Sequence, residues 1–160
     1  MRKQRIYLDT SVISHLDAPD TPEKMAHTLQ LWEQIQAGEY DVVLSQVDFD
    51  ELERCTNEKL VILTDFLRLI KYSRVESDSA TVELASKFID FGILKAKSFD
   101  DCRHIAAALL SGCDIIVSWN FKHIVNTDTI IGTRKIVAAG GYKDIIICTP
   151  SMLTKGGYDL

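Results

Sequence analysis

The sequence predicts a three-layer α/β domain in which a central, mostly parallel sheet is flanked by helices. Short runs of β-branched and other apolar residues alternate with longer segments of helical periodicity. The short runs are apolar throughout rather than at every second position, which is typical of strands that are buried on both faces. No internal repeat or low-complexity tract interrupts this alternation, so we expect one domain over residues 1–160.

The apolar runs predict strands at residues 5–8, 41–44, 114–117 and 144–148, with a further short strand at 72–75. The clearest helix covers residues 23–37, because Pro22 precedes it and Gly38 follows it. Other helical patterns lie at residues 58–70, 78–91, 101–110 and 129–139.

The composition is that of an ordinary globular protein. Of the 160 residues, 46% are hydrophobic and 26% are charged, and 18 Lys and Arg against 23 Asp and Glu give a formal net charge of −5. A chain of this length buries a substantial core without disulfides or a structural metal. The acidic balance does not favour binding to nucleic acid through a generally basic surface.

The sequence predicts a cytoplasmic protein without a membrane partner. Its longest uncharged, apolar-rich stretch, residues 105–113, is much shorter than the roughly 20 residues that cross a bilayer. The basic residues near the N-terminus are followed by too short an apolar run for a signal peptide. The four cysteines form no C-x-x-C pair, which indicates buried, reduced thiols.

Ligands of parallel α/β sheets bind beyond the carboxyl ends of the strands, so polar residues at these positions are the first candidates for a site. The first predicted strand ends at Leu8 and is followed by Asp9, Thr10 and Ser11. The alternative interpretation is that one of these residues only caps the next helix.

Four carboxylates follow the second strand. On a helical wheel Val47, Leu52 and Cys55 define the inner face of this segment, and both Asp48 and Glu51 fall on that face. Periodicity therefore leaves two candidates, and a solvated acidic helix is the alternative interpretation.

A third acidic candidate lies at the start of the alanine-rich helix. Asp101 borders the inward face of this helix, whereas Asp100 projects to the opposite side. Asp101 is the better site candidate, with an N-terminal capping role as its alternative.

Ser118 and Asn120 follow the strand at residues 114–117 and are expected at the same sheet edge as Asp9. A turn role is the alternative for Asn120. Converging carboxylates repel one another unless a cation lies between them. Mg²⁺ or Mn²⁺, which prefer oxygen ligands, would suit Asp9, Glu51 and Asp101.

Taken together, these motifs resemble those of PIN-domain proteins, particularly the toxin ribonucleases of the VapC type. Four segments carry the resemblance in order: YLDTSVI at residues 7–13, LS at 44–45 with EL at 51–52, D at 101 with HIAAA at 104–108, and VSWN at 117–120. The resemblance selects Glu51 rather than Asp48. It implies a PIN-like fold and hydrolysis of RNA phosphodiester bonds with Mg²⁺ or Mn²⁺.

The resemblance also implies roles for individual residues. Asp9 and Asp101 would be the primary metal ligands, and Glu51 would complete the metal's ligands through water or orient the attacking water as a base. Ser11 would support Asp9 or a bound water, and Asn120 would bind peripherally. Asn120 stands where the family often has a fourth acid, so a second metal should bind more weakly.

Further expectations concern partners. Toxins of this family are usually homodimers that a small antitoxin neutralises, so the resemblance implies both a second copy and an antitoxin. Lys122 and His123 could guide an RNA phosphate, with Arg134 and Lys135 extending the track. For Trp119, stacking on a base and packing against the sheet edge remain open.

Two other functions compete with the ribonuclease. One is a catalytically weak PIN-like module that binds RNA or a protein partner, for which Asn120 is the clue. The other is a phosphatase with Asp9 as nucleophile, which commonly needs a second acid where this chain has Ser11.

Overall fold

Five parallel strands form one sheet in the order β3-β2-β1-β4-β5. The computed structural model describes residues 2–154. Its strands are β1 (Gln4–Leu8), β2 (Tyr40–Ser45), β3 (Ser73–Val75), β4 (Ile115–Val117) and β5 (Ile146–Cys148). The predicted α/β class is confirmed. The single domain expected over residues 1–160 extends beyond the described residues at both ends and stays a prediction.

Eight α-helices lie in the described part of the chain. They are α1 (Thr10–Ser14), α2 (Pro22–Gln36), α3 (Gln46–Leu52), α4 (Asn57–Leu67), α5 (Ser79–Asp90), α6 (Phe99–Leu110), α7 (Thr127–Gly140) and α8 (Pro150–Leu153). The predicted helices are all present, with ends that differ by at most three residues. The largest difference between a predicted and an observed helix end is at α4, which ends at Leu67 rather than at Ile70.

The last strand is shorter than predicted and begins at Ile146 instead of Asp144. Its pairing with β4 starts where Ile115 faces Ile146. Before that point the Asp144 carboxylate accepts a hydrogen bond from the backbone N–H of Ile145, at 3.0 Å, so this local bond replaces a strand-like arrangement.

Alternate residues of each central strand pack into different layers, which explains why the strands are apolar throughout. In β1, Ile6 and Leu8 belong to the cluster covered by α2 and α4, whereas Tyr7 belongs to the cluster covered by α5, α6 and α7. In β4, Ile116 likewise faces the second cluster. The sheet is therefore the middle of three layers, as the sequence predicts.

Helix ends follow the usual local chemistry. Asp78 and Asn126 cap α5 and α7 by accepting hydrogen bonds from the backbone N–H groups of Thr81 and Thr129. Gly141 ends α7 with φ of 69°, a left-handed conformation that glycine adopts without strain.

The prediction of four buried thiols is wrong for Cys55. Cys102, Cys113 and Cys148 are buried, but Cys55 is partly exposed, and all four thiols are free. Because α3 ends at Leu52, Cys55 lies beyond the helix and not on its inner face.

Candidate active site

Asp9 follows β1 at the carboxyl edge of the sheet and is only 3% exposed. Its Oδ1 accepts hydrogen bonds from Ser11 Oγ at 2.6 Å and from the backbone N–H of Val12 at 3.3 Å. Its Oδ2 accepts a hydrogen bond from Ser118 Oγ at 2.6 Å. Asp9 is thus the N-cap of α1 and also faces the end of β4, so the two interpretations of this residue are compatible.

The end of β4 is held against α1 by a second set of bonds. Ser11 Oγ accepts a hydrogen bond from the backbone N–H of Trp119 at 2.8 Å. Ser118 Oγ accepts one from the backbone N–H of Asn120 at 2.9 Å. Both hydroxyls that donate to Asp9 are therefore oriented by backbone amides, which fixes the carboxylate in one position.

Asp101 lies in the first turn of α6 and is half-buried. The side-chain amide of Asn120 donates to Asp101 Oδ1 at 3.2 Å, and Asn120 Oδ1 accepts from the backbone N–H of His123 at 3.0 Å. Asp100 points away, as predicted, and pairs with Arg103 at 3.1 Å. The structure brings Asp9, Asp101 and Asn120 to one edge through the chain of bonds that passes through Ser118.

Asp48 and Glu51, which periodicity could not separate, have different surroundings. Asp48 is fully buried, and its Oδ2 accepts a hydrogen bond from the backbone N–H of Ser45 at 3.0 Å, at the start of α3. The Glu51 side chain is 26% exposed. Thr10 Oγ1 lies 3.1 Å from both Asp48 Oδ1 and Glu51 Oε1, and its one hydrogen can serve only one of them at a time.

His104 is a component of the site to which the sequence analysis gave no role. It is 2% exposed, and its Nε2 lies 2.5 Å from Glu51 Oε1. Its Nδ1 lies 2.6 Å from the hydroxyl of Tyr7, which is also 2.6 Å from Ser45 Oγ. The signal in the sequence is a single polar side chain one turn after Asp101 on an otherwise apolar helix face.

Three of the four acidic groups of the site, Asp9, Asp101 and Asp48, are costly to ionise. Burial raises the pKa of Asp9, although the charge of His104 and the two hydroxyl donors oppose this effect. Burial also raises the pKa of Asp101, and the charges of Asp9 and Glu51 add to it. Burial raises the pKa of Asp48 to about 7.

His104 and Glu51 form an ion pair. Burial lowers the pKa of His104, but the hydrogen bond with Glu51 and the charges of Asp48 and Asp9 outweigh burial and raise this pKa to about 9. Burial raises the pKa of Glu51, yet its hydrogen bond to His104 and the histidine charge lower it overall. One cation therefore sits among several carboxylates.

The residues present fit a hard divalent cation in their chemistry. Among residues 2–154, no three Asp, Glu, His or Cys side chains are already arranged as ligands around one point. Every acid of the cluster is instead hydrogen-bonded within the protein. The side-chain atoms that these acids offer to a cation are nevertheless all oxygen atoms. Burial and, to a smaller extent, the charges of Asp9 and Glu51 raise the pKa of Asp101, and a cation would offset both effects. Mg²⁺ needs only one or two carboxylates and keeps several waters, which Asp9 and Asp101 would satisfy.

Three other side chains around β4 in the sequence have different surroundings in the structure. Trp119 is 7% exposed and donates from Nε1 to Thr28 Oγ1 at 2.9 Å, so it packs in the structure and its face is not free for a base. Asp114 lies before β4 and pairs with Arg2 and Lys143. Asp128 is exposed in the first turn of α7.

Of the basic candidates, only His123 has an observed effect on an acid of the site. Lys122 is exposed, and His123 is half-buried with its charge acting on Asp101. Arg134 and Lys135 are exposed on α7.

No helix among the described residues is long and apolar enough to cross a bilayer.

Comparison with known proteins gives one family. A family model described as PIN domain matches residues 6–123. Comparison with curated protein sequences gives no significant match.

Two solved structures share the fold. One is VapBC2 from Rickettsia felis bound to a DNA fragment from their promoter, with a TM-score of 0.54, 13% identity, and coverage of 91% of this chain and 98% of that one. The other is the tyrosyl-tRNA synthetase of Archaeoglobus fulgidus complexed with L-tyrosine, with a TM-score of 0.50, 12% identity, and coverage of 92% of this chain and 54% of that one. At these identities the similarity concerns the fold alone.

Proposed function

Because this chain belongs to the PIN-domain family, we propose that it is an endoribonuclease that hydrolyses RNA phosphodiester bonds with Mg²⁺ or Mn²⁺. The observation that carries the proposal is that Asp9, Glu51 and Asp101 lie at one edge of the sheet. They come from three different helices, at the start of α1, near the end of α3 and in the first turn of α6. Their all-oxygen donor set suits these cations, which act on phosphate esters.

Asp9 and Asp101 would hold the metal ion. When bound, the ion supplies a more acidic water and positive charge for the phosphate. Ser11 keeps Asp9 in place through its bond to Oδ1, and Asn120 keeps Asp101 in place through its bond to Oδ1. These are positioning roles, because both side chains act through a carboxylate.

Glu51 would accept the proton of the attacking water. Its Oε1 is occupied by His104, so Oε2 is the atom that we assign to the proton. The bond from His104, with Thr10 as an alternating second donor, holds the carboxylate in a preferred orientation, which favours proton transfer in a defined direction.

We further propose that the protein is a toxin of the VapC type, a homodimer of the cytoplasm that is neutralised by an antitoxin. The support is the shared fold with VapBC2 of Rickettsia felis over nearly the whole length of both chains. The substrate and the partner are part of this proposal.

The test is cleavage of a mixed RNA pool by purified protein in EDTA, Mg²⁺ or Mn²⁺. Asp9→Asn should abolish cleavage and leave the fold intact, because an amide oxygen still accepts the bond from Val12 that caps α1. Asp65→Asn is the matched control, since Asp65 pairs with Arg68 on the exposed surface of α4. Metal-dependent cleavage that survives in Asp9→Asn would remove Asp9 from the mechanism.

A second candidate is a catalytically weak module that binds RNA or a protein. The specific observation in its favour is that an amide, Asn120, and not a carboxylate, contacts Asp101. Folded protein that binds RNA without cleaving it in any of the three conditions would support this candidate over the nuclease.

A further inference from the structure

Phe121 is the exposed part of a cluster beside the acidic site that we call the aromatic shelf, which consists of Phe121, Trp119 and Lys24. The ring centroids of Trp119 and Phe121 are 6.4 Å apart. Lys24 Nζ lies 5.4 Å from the Phe121 centroid and 5.8 Å from the Trp119 centroid. Trp119 is 7% exposed, whereas Phe121 is 50% exposed, so only the Phe121 ring is open to a ligand.

The loop that carries Phe121 is held firmly. Asn126 Nδ2 donates to the backbone carbonyls of Phe121 at 3.1 Å and Lys122 at 3.0 Å. The backbone N–H of Phe121 donates to the carbonyl of Trp119 at 3.0 Å. A loop whose backbone is held before binding loses little backbone conformational entropy when a ligand covers it.

The two residues that precede Phe121 both contact the acidic site. Asn120, the residue before Phe121, contacts Asp101. Trp119 donates its backbone N–H to Ser11, the residue that holds Asp9. The backbone that carries the Phe121 ring therefore begins at the edge of the acidic site, because the two residues before it contact Asp101 and the partner of Asp9.

We propose that Phe121 stacks on an unpaired RNA base adjacent to the scissile phosphate, with Lys24 and Lys122 attracting the neighbouring backbone phosphates. This inference rests on the proposed function. The net charge of −5 cannot draw RNA to the protein in general, so affinity must come from local contacts. Aromatic stacking supplies such a contact without regard to base identity, because every base has a π face.

The position of Lys24 favours RNA over a protein partner. A flexible ammonium beside an exposed ring matches a nucleotide, which brings a base and a negative phosphate together. Lys122 is exposed and follows Phe121 directly in the chain, so a second cation is available beside Lys24. The shelf therefore predicts binding of unpaired rather than duplex RNA.

The experiment measures binding separately from cleavage. Fluorescence anisotropy of a labelled single-stranded RNA is recorded with Mg²⁺ and protein that carries Asp9→Asn, so that the RNA stays intact. In that background Phe121→Leu keeps an apolar side chain but removes the ring, and should weaken binding about 5- to 150-fold, the range expected for loss of one stacked base. Phe121→Trp should keep the affinity.

Phe91→Leu is the matched control, because Phe91 is 63% exposed at the end of α5 and should not change the affinity. The background protein should prefer single-stranded RNA over a duplex of the same sequence, and Phe121→Leu should reduce this preference. Equal affinities of Phe121→Leu and its background would overturn the proposal. A loss only of binding to a protein partner, with RNA affinity unchanged, would assign the shelf to that partner instead.

The two proposals fail in different ways. If wild-type protein cleaves RNA but Phe121→Leu leaves RNA affinity unchanged, only the stacking site is wrong. If the wild type never cleaves and Phe121→Leu still lowers RNA affinity, the nuclease is wrong and the stacking site stands. If the background protein does not bind single-stranded RNA, the stacking site is wrong.

Discussion

Glu51 and His104 form an ion pair across the interface of α3 and α6, with 2.5 Å between Oε1 and Nε2, in which the histidine is buried and the glutamate is partly exposed. The other ring nitrogen of His104 contacts the hydroxyl of Tyr7 in the central strand. The histidine therefore cannot rotate without losing a partner, and it fixes the orientation of Glu51. His104 is a positioning residue of the proposed reaction, because it acts on the site only through the carboxylate.

His104→Ala should lower the rate of RNA cleavage about 10- to 100-fold, which is the usual effect of removing a residue that orients a group of a metal site. His104→Gln should recover part of this loss, since its amide can donate to Glu51. Single-turnover cleavage with Mn²⁺ at several pH values measures the rate, and thermal unfolding of each variant measures how much stability is lost as well. Equal cleavage rates for wild type and His104→Ala would refute the positioning role.

The stability of the metal-free protein should fall as the pH rises from about 4 to about 9. Burial raises the folded-state pKa of Asp48 to about 7, and the carboxylate partners of His104 raise its folded-state pKa to about 9. In both cases the folded state keeps a proton that the unfolded chain has already lost, so stabilisation present at low pH disappears through this window.

Urea unfolding in EDTA at pH 5, 7 and 9 tests this dependence. The double variant Asp48→Asn with His104→Gln should have a flatter profile, because both titrating groups are gone. A wild-type protein whose free energy of unfolding rises between pH 5 and 9 would contradict the assignment of protons to Asp48 and His104.

Asn120→Asp should bind Mn²⁺ more tightly and cleave RNA at an equal or higher rate. The new carboxylate would face Asp101 Oδ1, which the Asn120 amide now contacts at 3.2 Å, and a cation would relieve their repulsion. Without metal the same repulsion should lower the melting temperature. Weaker Mn²⁺ binding by this variant would place residue 120 outside the metal site.

Gly132→Ala should destabilise the protein although alanine is the better helix former. A Cβ at Gly132, which is buried in α7, would lie 2.6 Å from Cγ2 of Ile93 and 2.7 Å from its Cγ1. Overpacking of this kind costs about 1–3 kcal/mol. In urea unfolding the double variant with Ile93→Ala should lose less than the sum of the single variants, because the contact is removed; simple additivity would show that the methyl group is accommodated elsewhere.

Much of the fold could be predicted because burial produces the sequence pattern directly. β1 and β4 are covered on both faces and are therefore apolar throughout, which identifies them as central strands. The helix wheel also separated Asp101 from Asp100 correctly, because one turn of helix decides which carboxylate points inward.

The rest of the site depends on tertiary contacts that no local pattern contains. A lone histidine on an apolar helix face has the same pattern whether it is a core residue or the partner of Glu51. Only the packing of α6 against β1 and α3 puts Tyr7 and Glu51 at its two ring nitrogens. Asp48 could have been separated from Glu51, since Ser45 three residues before it is a helix-start signal that explains its buried bond.

The two aromatic residues of the VSWNF segment show the same limit. Trp119 and Phe121 both follow β4, and the sequence alone does not indicate which of the two rings is exposed to a ligand. The bond from the Trp119 indole to Thr28 of α2, more than 90 residues earlier in the chain, commits the tryptophan to the core and leaves the phenylalanine at the surface.

The pairing of β1 with β4 has a consequence for synthesis of the protein. Asp9 meets Ser118 only after the strand that ends at Val117 has been made and has paired with the first one, more than 100 residues away in sequence. A nascent or truncated chain that lacks β4 has all three acids but lacks the contacts of Ser118 with Asp9 and of Asn120 with Asp101. The proposed hydrolytic activity would therefore arise late in translation, as contacts between distant parts of a chain form after local ones.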